Sequence, residues 1–161
     1  MTVHPIPPFF NEDSKILILG SFPSVKSREV GFFYGHPQNR FWKILAEIFG
    51  EEVPISTEEK RAMLKRNKIA LWDVISSCEI SGSQDSTIRN VTPNDLSVIL
   101  ENSSIERIFL NGKTAEKYYR KYQEKTIMHT ATTLPSTSPA NAAISFEKIA
   151  EIWRDELTER R

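Results

Sequence analysis

The residues of this 161-residue chain that could do chemistry lie in loop-like stretches. The longest, from Gly20 to Asn39, holds about twenty residues rich in Gly, Pro, Ser and aromatic side chains, where two to six would be ordinary for a strand-to-helix connection. Its length favours a functional loop. Elsewhere, the amide of Asn111 can both donate and accept a hydrogen bond. The hydroxyls of Ser136, Thr137 and Ser138 precede a helix-like segment, where small hydroxyls and backbone N–H groups suit phosphate binding.

Composition narrows the classes of function. Lys plus Arg and Asp plus Glu both number 21, so the net charge is zero and a nucleic-acid partner would need a local patch. The single cysteine, Cys78, has no suitably spaced His, and no Cys/His cluster has metal-ligand spacing, so we expect neither a metal nor a cofactor. The chain shows no leader-like N-terminus and no run of 18 apolar residues, which predicts a cytoplasmic location and no membrane partner. We expect one domain over residues 1–161 and a monomer.

Strand-like and helix-like patterns alternate along the chain. The predicted strands are Lys15–Leu19, Ile69–Ile75, Ile105–Leu110 and, more weakly, Thr126–His129. The predicted helices are Arg40–Phe49, a Ser56-capped segment ending near Asn67, Thr92–Leu100, Lys113–Tyr122 and Asn141 to about Glu159. An extended arm, His4–Phe10, comes before them, and Ser76–Asn90 and Ala131–Ala140 are predicted loops. This alternation predicts an α/β fold of three layers, α/β/α, with a mostly parallel four-stranded sheet.

Such a sheet predicts where a ligand binds. Ligands bind outside the carboxyl ends of parallel strands, where the strand order reverses. The four loops predicted there are Gly20–Asn39, Ser76–Asn90, Asn111–Gly112 and Ala131–Ala140. Each chemically unusual stretch falls in one of these loops.

Three motifs resemble those of a known family. They are Gly20-Ser-Phe-Pro-Ser, then Tyr34-Gly-His-Pro-Gln-Asn-Arg-Phe-Trp42, then Leu134-Pro-Ser-Thr-Ser-Pro-Ala-Asn141. Together they resemble the uracil-DNA glycosylase superfamily, and the GSFPS string is similar to its hypoxanthine-DNA (deoxyinosine) glycosylase branch. The resemblance covers nearly the whole chain. It implies a monofunctional enzyme that hydrolyses the N-glycosidic bond of a deaminated base flipped out of DNA and leaves an abasic site.

The resemblance also implies roles for single residues. Mismatch-specific relatives carry a water-positioning Asn where this chain has Phe22, so the role passes to Asn39, which could instead serve as a helix N-cap. The side chains expected to contact the base are Phe22, Tyr34, His36 and Asn111, although aromatic rings are often core residues and Asn-Gly is also a turn signal. The residues expected to contact DNA, some of which could simply cap a helix, are Ser136, Thr137, Ser138, Pro139, Ala140, Asn141 and Arg89.

Other readings of the sequence remain open. Asp85, in the loop after the second predicted strand, could contact the base or order the pocket, or be merely solvated. A uracil or G:U/G:T mismatch glycosylase would share the His-Pro-x-Asn-Arg-Phe-Trp string. A non-catalytic DNA-binding relative would explain Phe22. An unrelated nucleotide-binding protein is disfavoured, because no glycine-rich phosphate fingerprint follows the first strand.

Overall fold

Four parallel strands, three of them mostly buried, form the centre of the molecule. A computed structural model describes residues 1–158, and in it β2 (Ile16–Gly20), β3 (Ile69–Asp73), β6 (Arg107–Asn111) and β7 (Ala131–Leu134) build a parallel sheet in the order β3-β2-β6-β7. Ile16 pairs with Ile69 on one side and with Arg107 on the other, and all five residues of β2 are buried. Continuous apolar runs suit strands covered on both faces. The predicted four-stranded parallel sheet is confirmed.

Alternate residues of β2 enter two separate cores, which makes the fold three-layered. Ile16 and Ile18 face a core shared with α2 (Phe41–Phe49), α3 (Thr57–Arg66) and α6 (Phe146–Leu157). Leu17 and Leu19 face a second core formed with α4 (Ser97–Leu100) and α5 (Lys113–Tyr122). Side chains alternate across a strand, so β2 supports both layers.

Several predicted helix ends are confirmed in detail. α2 ends at Gly50, which takes the left-handed conformation at φ 64° that favours glycine. α3 begins with a reciprocal capping box, in which the Ser56 hydroxyl accepts from Glu59 N and the Glu59 carboxylate accepts from Ser56 N. The extended arm is also confirmed, because Phe9 bridges to Leu71 and the rings of Phe9 and Phe10 pack on opposite cores.

The predicted loop Ser76–Asn90 is wrong. That segment lies within a hairpin of β4 (Ile75–Ser81) and β5 (Gln84–Pro93), and with β1 (Thr2–Val3) it forms an antiparallel sheet in the order β1-β4-β5. β5 is largely exposed, and the pairing of the two strands carries register shifts, so no clean alternation of apolar and polar residues marks them. The Gly82-Ser83 pair between Ser81 and Gln84 was the available signal, since such pairs form two-residue hairpin turns.

Two other elements differ from the prediction. The predicted helix from Thr92 is strand as far as Pro93, and α4 begins only at Ser97. The fourth parallel strand is β7 at Ala131–Leu134 rather than Thr126–His129, because backbone bonds from Thr126 N and Ile127 N to Gln123 O continue the turn that ends α5.

The long first loop and the last helix are each subdivided. Residues 25–30 of the loop form a short helix, α1 (Val25–Val30). The predicted closing helix is a 3-10 turn (Pro139–Asn141) followed by α6, which the Ser145 hydroxyl caps. Its predicted end, Glu159, lies outside the described residues.

Candidate active site at the carboxyl ends of the parallel strands

The sheet order places a candidate site between β2 and β6. From β2 the chain crosses to β3 on one side and later reaches β6 on the other, so the order reverses between Gly20 and Asn111. A Cβ atom on Gly20 would lie 2.4 Å from Asp73 Oδ1 and 3.1 Å from the Tyr34 hydroxyl. Gly20 therefore allows these two side chains to meet over the end of β2. We call Gly20, Tyr34, Asp73 and Asn111 the strand-end site.

The N-terminal arm holds one acidic residue of this site. His4 Nε2 lies 2.7 Å from Asp73 Oδ2, and both side chains are at least 95% buried. Ile6 N donates to His4 Nδ1, so the other ring nitrogen carries the proton and donates to the carboxylate. Sequence reasoning missed this pair, although an acidic residue at the end of a buried strand was a signal.

Tyr34 brings an unpaired hydroxyl into the site. Its backbone has φ 53°, a strained value for a tyrosine, and its ring stacks on Phe41 with centroids 4.1 Å apart. The hydroxyl is buried and finds no hydrogen-bond partner among residues 1–158. Burial, followed by the negative charge of Asp73, raises the pKa of Tyr34, while the nearby Asn111 amide opposes the increase. The neutral hydroxyl is available as a donor.

Asn39 lies in the turn that starts α2. Its N–H donates to His36 O at 2.9 Å, and its Oδ1 accepts from Phe41 N at 2.9 Å. Arg40 is the N-cap residue by position, so Asn39 supports the helix start from one residue earlier, through an Asx turn. An amide oxygen has two lone pairs, and the Asn39 Nδ2 group makes no hydrogen bond within the described part of the chain. Capping therefore leaves part of this side chain free.

His36 and Phe22 occupy different surroundings. His36 is half-buried, and its Nδ1 accepts from Gln38 N at 3.0 Å, within the same turn as Asn39. Phe22 is only 8% exposed and meets the His4 ring edge-on at 5.8 Å, with the Arg28 guanidinium 5.6 Å from its own centroid. The Phe22 ring thus packs beside the His4–Asp73 pair.

Asn111 holds the loop after β7. Its Nδ2 donates to the Thr137 hydroxyl at 3.1 Å, and its Oδ1 accepts from Thr137 N at 3.0 Å. Thr137 is fully buried, so its hydroxyl faces Asn111 rather than the surface. In this structure the Asn111 amide positions the loop with both of its polar atoms.

The rest of that loop is a compact turn beside the site. Ser136 Oγ accepts from Ser138 N, and Ser138 Oγ accepts from Ala140 N at the 3-10 turn. Asn141 Nδ2 donates to Ser136 O, Ala140 is exposed, and Pro139 is half-buried. The loop therefore presents its tip to solvent while its base is fixed.

Arg40 joins this loop to the Asn39 turn. Its backbone N–H donates to Thr137 O at 3.1 Å, and its guanidinium donates to Asn141 O and Ile144 O at 3.0 and 2.7 Å. The structure thus brings Asn39, Asn111 and the Ser136–Asn141 loop together. Sequence reasoning did not assign this role to Arg40.

Arg89 lies away from the strand-end site. It is exposed on β5 opposite Glu79, and it lines a groove of about 350 Å³ between β5 and α5. Lys117, Lys121 and Tyr122 line the same groove. A second depression of about 440 Å³, beside α2 and Phe146, contains none of the predicted site residues.

Other site chemistries find little support. Among residues 1–158, no group of three or more His, Cys, Asp or Glu side chains is placed to hold a metal ion. Cys78 is buried, and burial raises the pKa of its thiol. No helix in the described range is long and apolar enough to cross a membrane.

Comparison with known proteins places the chain in a family. The fold and the position of the site define an α/β protein with a candidate site at the carboxyl ends of its parallel strands, and the family model described as Uracil DNA glycosylase superfamily matches residues 7–156. The chain belongs to the uracil DNA glycosylase superfamily, which confirms the resemblance seen in its motifs.

Two named relatives and one solved structure show which members of this superfamily the chain is similar to. The chain is 37% identical over 114 residues to a hypoxanthine DNA glycosylase of Methanosarcina barkeri, covering 70% of this chain and 72% of that protein. It is 35% identical over 147 residues to a hypoxanthine DNA glycosylase of Methanosarcina acetivorans, covering 90% and 92%. A solution NMR structure of a Methanosarcina acetivorans protein, provisionally named a uracil DNA glycosylase, superposes with a TM-score of 0.79 at 32% identity, covering 98% of this chain and all of that one.

Proposed function

We propose that this protein is a monofunctional DNA glycosylase that removes hypoxanthine from DNA and leaves an abasic site. The observation that carries the choice of base is the 35–37% identity to two proteins named hypoxanthine DNA glycosylase. The fold agrees with this function, because ligands of parallel α/β sheets bind at the carboxyl ends of the strands, where the strand-end site lies.

The proposed chemistry depends on positioning. Hydrolysis breaks the bond between C1′ and the purine nitrogen, forms a bond from a water oxygen to C1′, and passes through a cationic sugar. The free lone pair of Asn39 Oδ1 would hold that water. An amide is a weak base, so its contribution is to orient the water rather than to ionise it.

The departing base would be held by neutral donors and acceptors. Hypoxanthine offers O6 as an acceptor and N1–H as a donor. The Tyr34 ring remains our candidate for stacking on the base; alternatively, a movement that uncovers the buried Tyr34 hydroxyl, which has no partner among residues 1–158, would let it donate to O6 instead. Phe22, His36 and Asn111 are further candidates for the base pocket. For Asn111 this would require a release of at least one bond to Thr137.

DNA would lie across the Ser136–Asn141 loop. The exposed tip at Ala140, with Pro139 beside it, is our candidate for pressing on the duplex, and Ser136, Ser138 and Asn141 would support contacts to phosphates. Fully buried Thr137 would act by holding the loop. Arg89 would contact DNA only outside the strand-end site. We further propose that residues 1–161 act as one domain, as a monomer, without metal or cofactor, in the cytoplasm.

A panel of labelled oligonucleotides tests the proposal. Each duplex carries one hypoxanthine, uracil or thymine opposite each normal base, and alkali after incubation breaks any abasic site. We expect strong cutting at hypoxanthine and little at uracil or thymine. Cutting at uracil alone would favour the second candidate, a uracil or mismatch glycosylase, which the family description and the provisional name of the NMR relative support. Binding of duplex without any cutting would favour a non-catalytic relative.

A further inference from the structure

Phe22 lies in the first motif, Gly20-Ser-Phe-Pro-Ser, where mismatch-specific relatives carry a water-positioning Asn. The site therefore has no polar side chain at this position. Phe22 is buried against His4, so its ring can neither orient a water nor face a cationic sugar with a charge. Asp73 is the one acidic residue on the four parallel strands, but it is 97% buried and hydrogen-bonded to His4. If the site uses an accessible negative charge, another element must supply it.

Three contacts hold the turn region of the β4–β5 hairpin against the loop that follows β2. Arg28 Nη2 donates to Gly82 O at 2.8 Å, and Val25 N donates to Ser83 Oγ at 2.9 Å. The Ser21 hydroxyl lies 3.3 and 3.4 Å from the two carboxylate oxygens of Asp85 and donates to them. These contacts hold the Asp85 carboxylate beside the residue that follows Gly20.

The surroundings of Asp85 disfavour its negative charge. Burial of the carboxylate against the loop raises its pKa, the Ser21 and Thr114 hydroxyls lower it, and the charge of Asp73 raises it further. Asp85 forms no ion pair with any residue in 1–158. Asp85 as a whole residue is exposed, so water and a ligand can reach it. Screening by this water limits the rise in the pKa of its carboxylate. An unpaired carboxylate fixed at such a place is available to a cation.

We propose that Asp85 is the anionic residue of the active site, which faces C1′ of the flipped nucleotide and stabilises the cationic sugar. This inference rests on the proposed glycosylase function. As the C1′–N bond breaks, its electron pair leaves with the base, which takes up a proton from solvent, and the water held by Asn39 bonds to C1′. The water's proton passes to the Asp85 carboxylate and then to solvent. The hairpin thereby supplies the charge that Phe22 cannot.

Binding of sugar mimics tests the assignment without depending on the base. Two duplexes are compared, one with a pyrrolidine azasugar, which is cationic at neutral pH, and one with neutral tetrahydrofuran at the same position. We expect the protein to bind the cationic duplex about tenfold or more tightly than the neutral one, which corresponds to a single charge interaction partly screened by water. Asp85→Asn should bring this ratio close to one and leave binding of the neutral duplex within about twofold.

Three further variants make the result specific. Glu79→Gln makes the same charge change on the same hairpin, where the carboxylate bonds Asn90 instead, and should keep the ratio. Ser21→Ala should lower the ratio partly, because it frees the Asp85 side chain. An unchanged ratio in Asp85→Asn, or loss of the ratio in Asp73→Asn alone, would overturn the assignment.

The same variants separate this inference from the proposed function. If the wild-type protein excises hypoxanthine, Asp85→Asn should lower the single-turnover rate at least about tenfold, with Asp85→Glu recovering part of it. If the wild-type protein cuts no base but keeps the charge-dependent ratio, the proposed function fails and Asp85 remains the group that recognises a cationic sugar. If excision is normal in Asp85→Asn, the proposed function stands and the Asp85 assignment fails.

Discussion

The two sheets of this protein are held together in different ways and contribute different parts of the candidate site. β2 of the parallel sheet is buried along its whole length and packs against a core on each face. β5 of the antiparallel sheet is mostly exposed, and its turn is fixed by hydrogen bonds to the first-motif loop. The parallel sheet supplies the fixed floor at Gly20 and Asn111, whereas the hairpin supplies a charged side chain at the rim. The parallel sheet therefore contributes most of the stability, and the antiparallel sheet carries the charge that we propose for the site.

Truncation in the two sheets should give the largest contrast. Leu19 on β2 is fully buried, so Leu19→Ala should lower the free energy of unfolding by about 2–5 kcal/mol, through lost burial and the cavity left behind. Ile80 on β4 is only partly buried, and Ile80→Ala should cost about 1 kcal/mol or less. Urea unfolding measures both values, and equal losses would contradict the comparison.

A methyl group added at Gly20, on the floor of the site, should lower stability less than Leu19→Ala does, but it should also disturb the site. In Gly20→Ala the new Cβ would lie 2.4 Å from Asp73 Oδ1, so Asp73 or the strand must move. We expect a loss of about 1–3 kcal/mol in stability, as for other overpacked positions, together with loss of excision. Gly31→Ala is the opposite case, because its new Cβ would meet no atom of the described residues within 4 Å and only its left-handed backbone, at φ 84°, would be strained. Wild-type excision by Gly20→Ala would show that the floor is not part of the site.

The Tyr34 hydroxyl should separate stability from activity. Because the hydroxyl is buried without a partner among residues 1–158, Tyr34→Phe should leave stability unchanged or raise it by about 1 kcal/mol. If the hydroxyl bonds the base, excision should fall about tenfold, the value of one hydrogen bond. Thermal unfolding and single-turnover excision test the two parts. A less stable variant with normal excision would mean that the hydroxyl has a structural partner instead.

The smallest expected effect is the pH dependence of stability that arises from Asp85 on the hairpin. The pKa of Asp85 is raised above its ordinary value of 3.8, so the folded protein binds this proton more tightly than the unfolded chain. The stability from that proton is fully present below the ordinary value and is lost as pH rises through the raised pKa. Asp85→Asn should therefore be more stable than the wild-type protein at pH 8, and the difference should shrink near pH 4. Equal melting temperatures at both pH values would remove the support for an unfavourable charge at the rim.

The parallel sheet could be predicted because its signals are local. The runs Ile16–Leu19 and Ile69–Leu71 are continuously apolar, and Gly50 and Ser56 mark helix ends by their own chemistry. The hairpin could not be identified in the same way, because its strands are polar and their register shifts interrupt any alternation. Patterns of apolar residues indicate which segments of a sequence are buried, and β5 of the hairpin is mostly exposed.

The candidate site was predictable only in part, for a related reason. The second motif placed Tyr34 and Asn39 in the loop after the first strand, and Asn111 followed the third predicted strand; the structure brings them to one edge of the sheet. The contacts between them join residues far apart in the chain, such as His4 with Asp73 and Ser21 with Asp85. No local pattern encodes a pairing across more than sixty residues, so the partners needed the fold to become visible.

Asn39 provides the most direct test of the account. Asn39→Ser keeps a side-chain oxygen that can accept from Phe41 N, but it is one carbon shorter and lacks the reach to hold a water at the sugar as well. Single-turnover excision of hypoxanthine from duplex DNA is measured for wild type, Asn39→Ser and the neighbouring control Gln38→Ser, with melting temperatures for each. We expect Asn39→Ser to melt near the wild type while its excision rate falls on the order of 100-fold, with Gln38→Ser unaffected. A wild-type rate in Asn39→Ser would show that Asn39 only supports the start of α2, and the proposed mechanism would be wrong.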